Sequence, residues 1–225
     1  MPFPSYIYHN SPMTIDYLLF DLDNTLYPES SGMQQEIHRR MTAYVARYLG
    51  ISEEKAAEAR RSGFLNHGTT LRWLQLEHGL RTTVEFLEQV HPEDVEPFIP
   101  ENPALTSFLD SLPYPKAVFT NSPHFHAQRV LERLGIRSCF THVFDITFND
   151  LEGKPHPASY RRVLSALNVP AEKTVFIDDA PSYVQGFIDV GGIGVLIDEF
   201  GRYGDLNAPR IPSLWELPNL LTGLP

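Results

Sequence analysis

Apolar and polar positions change period twice along the chain. Leu18, Leu19 and Phe20 form a short apolar run that stops at Asp21, which predicts a buried strand over residues 17–20 ending in "DLDNT". From residue 29 to residue 100 the spacing is helical only. Met33, Ile37, Met41, Tyr44, Val45, Tyr48 and Leu49 mark a first helix, and "GISEEKAAEARRSG" opens a second with Ser52 as N-cap and acids in its first turn. Leu71, Trp73, Leu74 and Leu76 predict a third helix, and Val84, Phe86, Leu87 and Val90 a fourth. The proline-rich "HPEDVEPFIPENP" reads as a linker.

Beyond it the pattern alternates. A helix (Ala104–Leu112) leads to a strand (Lys116–Thr120), a helix (Phe125–Leu134) and a short strand (Val143–Ile146). A helix (Ala158–Leu167), a strand (Thr174–Ile177), a helix (Ser182–Asp189) and a strand (Gly194–Ile197) follow. Such alternation predicts an α/β fold with a doubly wound, Rossmann-like parallel sheet. Residues 1–28 and 101–225 would form that core, and residues 29–100 an inserted helical cap. Residues 1–14 read as a loose leader, and Leu214, Trp215, Leu217 and Leu221 as side chains that finish the core.

Composition narrows the partners. With 225 residues and 42% hydrophobic side chains, the chain can bury a sizeable core. A net charge of −10 counts against nucleic acid or an anionic membrane as main partner. No apolar run is long enough to span a bilayer, and "MPFPSYIYHNSPM" lacks the basic start of a secretory signal. The single Cys139 excludes an intrachain disulfide and a cysteine zinc cluster. A soluble, cytoplasmic monomer or homodimer is expected.

In a parallel sheet, ligands bind outside the carboxyl ends of the strands, so the residues there matter most. Strand one ends in Asp21 and Asp23, the next in Thr120, Asn121 and Ser122, and "VFIDDAPS" in Asp178 and Asp179, while "LEGKPHP" places Lys154 before a helix. Only the Val143–Ile146 strand and the last one are expected to end without polar groups. Singly, each such residue also reads as a cap or turn. Together, carboxylates without histidine or cysteine suit a hard cation, Mg²⁺, which would let Asp21 and Asp23 ionise side by side. A lysine and a hydroxyl suit a phosphate group. Asp21 can attack phosphorus, and Asp23 can protonate the leaving oxygen and then deprotonate water.

"DLDNT", "TNS", "GKPHP" and "IDDA" resemble, in order and spacing, the motifs of the haloacid dehalogenase-like (HAD) hydrolase superfamily. The resemblance implies Asp21 as nucleophile, Asp23 as acid/base, and Thr120, Asn121 and Lys154 on the phosphate. It also implies Mg²⁺ held by Asp21, the Asp23 main-chain carbonyl and Asp179, with Asp178 acting through water. The second aspartate, Asp23, favours phosphatases over dehalogenases. "LLFDLDNTLYPESSG", "HGTTLRWL" and "AVFTNSPHFHAQRVLERLGI" resemble the pyrimidine 5′-nucleotidase-like branch, which implies a nucleoside 5′-monophosphate as the small phosphorylated partner. His67 and Arg72 are then the cap residues expected to read the substrate. A phosphosugar phosphatase or phosphomutase, and a non-catalytic binding protein, remain alternatives on the same scaffold. "VGGIGV" follows a helix and precedes a strand, so it reads as a turn and not as a phosphate loop. His124 and His126, two apart, face different ways on a helix and do not read as a metal pair.

Overall fold

A computed structural model of the chain describes residues 14–204 and 206–224; residues 1–13 of the expected leader lie outside it. Six parallel strands make one open sheet in the order β3-β2-β1-β4-β5-β6. They are β1 (Tyr17–Phe20), β2 (Lys116–Phe119), β3 (His142–Phe144), β4 (Thr174–Asp178), β5 (Ile193–Ile197) and β6 (Arg210–Ile211). Among the described residues, α1 (Met33–Leu49), α2 (Glu53–His67), α3 (Thr70–His78) and α4 (Thr83–Val90) lie between β1 and β2, followed by α5 (Pro103–Ser111). The remaining helices are α6 (His124–Arg133), α7 (Pro157–Leu167), α8 (Pro181–Asp189) and α9 (Leu217–Gly223).

The central strands read as continuous apolar runs because both of their faces are covered. Leu18, Phe20, Val118, Val175 and Ile177 point to one face, against Leu105 and Leu109 of α5, Val130 and Leu131 of α6, and Leu217 and Leu221 of α9. Tyr17, Leu19, Ala117, Phe119 and Phe176 point to the other, against Tyr160 and Val163 of α7 and Phe187 of α8. This alternation with period two is what winds helices onto both sides of the sheet.

Four details depart from the expectations. The third strand stops at Phe144, so Asp145 lies beyond its end and accepts from the main-chain N–H groups of Thr147 and Phe148. The last expected strand likewise ends in an acid, Asp198, which accepts from Arg202 and Tyr203 and folds the following loop. Strand β6 is too short to leave a periodic signal. Leu214, Leu217 and Leu221 do finish the core, but Trp215 stays 46% exposed, its ring 4.7 Å from that of Phe108.

The four helices after β1 carry a core of their own, built from Tyr44, Val45, Leu71, Trp73, Leu74, Phe86, Leu87 and Val90. Ser52 caps α2 as its type predicts, accepting from the N–H of Lys55. Leu76 and Val84, placed on inner faces by periodicity, are exposed instead. Helix α1 belongs to two cores: Met33 and Ile37 pack under the sheet, whereas Tyr44 and Val45 pack in the helical block.

Helices α2 and α3 meet where Gly63 lies flat against Trp73; a Cβ there would sit 2.3 Å from the indole ring. In a free helix, Gly→Ala is stabilising by up to about 1 kcal/mol, whereas overpacking of this severity costs about 1–3 kcal/mol. Gly63→Ala should therefore destabilise the protein by about 1–2 kcal/mol, seen as a lower urea midpoint at unchanged slope. A raised midpoint would show that Trp73 is free to move aside.

Candidate active site

Parallel register fixes the centre of the site. Phe20 of β1 pairs with Ile177 of β4, and the N–H of Asp21 continues the ladder to the Ile177 carbonyl at 2.8 Å. Asp21 therefore leaves β1 level with Asp178 at the end of β4. Lys154 comes in from the loop before α7 and joins the two: its Nζ donates to Asp21 Oδ1 and to Asp178 Oδ2, each at 2.6 Å. The ammonium also lies 5.2, 5.0 and 5.1 Å from the ring centroids of Phe119, Phe176 and Tyr183. Lys154 is fully withdrawn from water. Burial disfavours its charge, but Asp178 and Asp21 outweigh burial and hold its pKa above the ordinary lysine value. Asn121 of the β2 end holds this loop in two directions, donating to the Lys154 carbonyl at 2.9 Å and accepting from the Lys154 N–H at 2.8 Å. Gly153 is required beside it, since a Cβ there would fall 2.0 Å from Asn121 Oδ1.

Asp21, Asp178 and Asp179 bring carboxylate oxygens within 4.8 Å of one another. Burial, followed by the charge of Asp21, pushes the Asp179 carboxyl up to about 7. Burial likewise raises Asp21 and Asp178, with Lys154 opposing it. Three oxygen donors short of positive charge form a set that a divalent, oxygen-preferring ion fits. Asn24, in the left-handed region at φ 59°, turns the chain so that its amide donates to Asp179 Oδ2 at 3.0 Å.

Asp23 is held differently. Its carboxylate accepts from Tyr27 Oη at 2.6 Å and Ser122 Oγ at 2.5 Å, and pairs with His126 Nε2 at 2.8 Å. Burial alone would raise its pKa, but attraction to His126 and these three hydrogen bonds hold it well below the usual carboxylate range. His126 is buried beneath the site beside His91, with ring centroids 4.8 Å apart, while His124 points outward. The two histidines do face different ways, as their spacing requires. The inward one acts on a carboxylate, a role that spacing alone does not reveal. Tyr27 carried a signal in retrospect, standing four residues after Asp23 in the same turn.

A cavity of about 420 Å³ opens over these groups. Asp21, Asp23, Thr120, Asn121 and Asp179 line it from the strand ends, and Gln34, His38, Met41, Arg60 and Phe64 from α1 and α2. His67 and Arg72 line a neighbouring, larger cavity of about 500 Å³ that lacks the carboxylates. His67 pairs with Glu77 at 2.7 Å, and Arg72 reaches Glu152 at 3.4 Å. Asp21, Asp23 and Asp179 converge on the smaller space.

Sequence and fold match known proteins over most of the chain. Over 202 residues the chain is 28% identical to a phosphoglycolate phosphatase of Pectobacterium atrosepticum, covering 84% of this chain and 82% of that protein. The fold superposes on an HAD phosphatase from Thermococcus onnurineus with a TM-score of 0.63 at 24% identity, over 93% of this chain and 99% of the other. It also superposes on the L-2-haloacid dehalogenase of Xanthobacter autotrophicus with a TM-score of 0.62 at 18% identity, over 94% and 100%. No helix among the described residues is long and apolar enough to cross a membrane. The description "haloacid dehalogenase-like hydrolase" matches residues 15–191, from the strand that delivers Asp21 to the helix that follows Asp179, and the chain belongs to that family.

Proposed function

We propose that the protein is a Mg²⁺-dependent phosphomonoesterase working through an aspartyl-phosphate on Asp21. The observation that carries this is the convergence of Asp21, Asp178 and Asp179 within 4.8 Å, with the Lys154 ammonium 2.6 Å from two of them. Asp21, the Asp23 carbonyl and Asp179 would hold the ion, with Asp178 behind them; bound there, it supplies charge neutralisation for a phosphoryl group. Asp21 presents an oxygen to phosphorus from a strand end that cannot shift without breaking the ladder. Lys154 and Thr120 meet the phosphoryl oxygens, and Asn121 keeps Lys154 in place. Asp23, whose bonds to Tyr27, Ser122 and His126 favour its ionised form, takes a proton from the water that cleaves the acyl phosphate and returns it to the leaving oxygen of the next turnover.

The leaving group is set by the helical block. A nucleoside, in the substrate class the nucleotidase-like motifs suggest, fits a space of about 420 Å³. A small phosphorylated acid is the second reading, favoured by the phosphoglycolate phosphatase relative and by Arg60 in that space, whose Nε has no acceptor among the described residues. In either reading the substrate is a small cytoplasmic metabolite met by a monomer or homodimer.

Asp21→Asn should abolish phosphate release, because an amide cannot form the acyl phosphate, while circular dichroism shows the fold retained. Residual turnover by the purified variant would remove Asp21 from the nucleophile's role. Asp23→Asn should lower kcat by about 10²-fold or more; unchanged turnover would leave Asp23 a purely structural residue.

Metal removal should silence the enzyme, and binding should depend on pH. Protons compete for Asp179, whose carboxyl is pushed up to about 7 without metal. Mg²⁺ affinity should thus weaken as pH falls, by roughly twentyfold between about pH 7.5 and 5.5. Titrating the Mg²⁺-induced rise in melting temperature at the two pH values measures this; equal affinities would place the ion away from Asp179.

A further inference from the structure

The wall that α1 and α2 present to the cavity is polar at three positions. Gln34 and His38, four apart on α1, share one face, and Arg60 of α2 stands with them; Met41 and Phe64 supply the apolar part. Gln34 Nε2 and His38 Nε2 lie 3.3 Å apart. Among arginines of this block, Arg39 and Arg40 share Glu36, and Arg72 reaches Glu152. Arg61 and Arg81 are exposed, so water satisfies them.

Arg60 is half-buried and has no acidic partner among the described residues. Its Nε is out of contact with water and has no acceptor among the described residues. Its Nη1 reaches only the thioether Sδ of Met41, at 3.5 Å. The acids that share the cavity are already engaged: Asp21 with Lys154, Asp23 with its three donors, Asp179 with Asn24. Arg60 is half-buried, its Nε lacks an acceptor among the described residues, and its planar fork matches a carboxylate or a phosphate. A neutral nucleoside would leave its charge unanswered.

Resting on the phosphomonoesterase reading, we infer that Arg60, flanked by Gln34 and His38, receives a second anionic group carried by the leaving portion of the substrate, a carboxylate or a second phosphate. The substrate class is then a phosphomonoester with two negative ends. One end is taken at the strand termini and the other at the α1–α2 wall. Partial desolvation and the neighbouring charge of Arg60 lower the pKa of the otherwise exposed His38, which favours a neutral hydrogen bond to this group over a second charge.

The test compares matched substrates by phosphate release with the purified full-length chain and Mg²⁺. 3-Phosphoglycerate is set against glycerol 3-phosphate, and fructose 1,6-bisphosphate against fructose 6-phosphate, with UMP and p-nitrophenyl phosphate alongside. The wild type should favour the doubly charged member of at least one pair by about tenfold or more in kcat/KM. The responding pair tells a carboxylate from a second phosphate. Arg60→Gln should collapse that ratio, mainly through KM, and Arg60→Lys should keep part of it. Ratios near one in both pairs, a preference for UMP over every acid, or an unchanged ratio in Arg60→Gln would overturn the assignment. If Arg60→Gln does not fold, the wild-type ratios and Arg60→Lys still decide it. Hydrolysis of p-nitrophenyl phosphate separates the two levels: with it intact, those outcomes reject only the subsite. A wild type inactive on every phosphomonoester rejects the reaction too.

Discussion

An ammonium enclosed between two carboxylates organises the rest of this molecule. Lys154 ties the end of β1 to the end of β4 through Asp21 and Asp178, with no part of its side chain in water. Charges so placed are costly to desolvate, and losing one partner of such a set typically costs about 3–5 kcal/mol. The surroundings are built to keep the set complete. Three aromatic rings enclose the ammonium, Asn121 grips the lysine's main chain from β2, and Gly153 leaves room for that grip. Three neighbouring strands are thereby locked at their functional ends. Their register, and not the flexibility of any loop, sets where the carboxylates stand.

Much of this was legible in the residues alone. The alternation of apolar runs and helical stripes after residue 100 specifies the strands and the helices between them. The acids at strand ends specify the edge where chemistry occurs, because a parallel sheet sends all its carboxyl ends the same way. Contacts with no local period were not legible. His126 carries the spacing of an ordinary amphipathic helix, and only the tertiary fold brings it 2.8 Å from Asp23. Gln34, His38 and Arg60 look like a solvated helix surface until the block folds over the strand ends. His67 and Arg72 stood out because they flank Gly68 in the "HGTTLRW" stretch, yet their side chains find Glu77 and Glu152 beside a different cavity. Strand β6 and the acids Asp145 and Asp198 escaped for a simpler reason: short elements shift by a residue or two without changing the pattern around them.

The molecule separates two tasks by secondary structure. Strand ends, rigid and hydrogen-bonded on both sides, hold the groups proposed to handle phosphorus. Helix faces, whose exposed positions change without disturbing a ladder, hold the groups proposed to choose the leaving portion. Relatives that share the sheet and differ in name, a phosphatase and a dehalogenase among them, are compatible with that separation.

Helix α1 gives the separation a mechanical form. Its 17 residues run about 25 Å without interruption, with Met33 and Ile37 seated in the sheet's core and Tyr44 and Val45 in that of the block. Any rocking of the block that keeps those contacts has its fulcrum in the first turns of α1. Points on a lever travel in proportion to their distance from the fulcrum. Gln34 and His38, beside it, stay nearly still over the strand ends, while the far end of α1, at its turn into α2, sweeps a wider arc. Opening and closing would thus leave the part of the site's roof nearest the fulcrum almost unchanged.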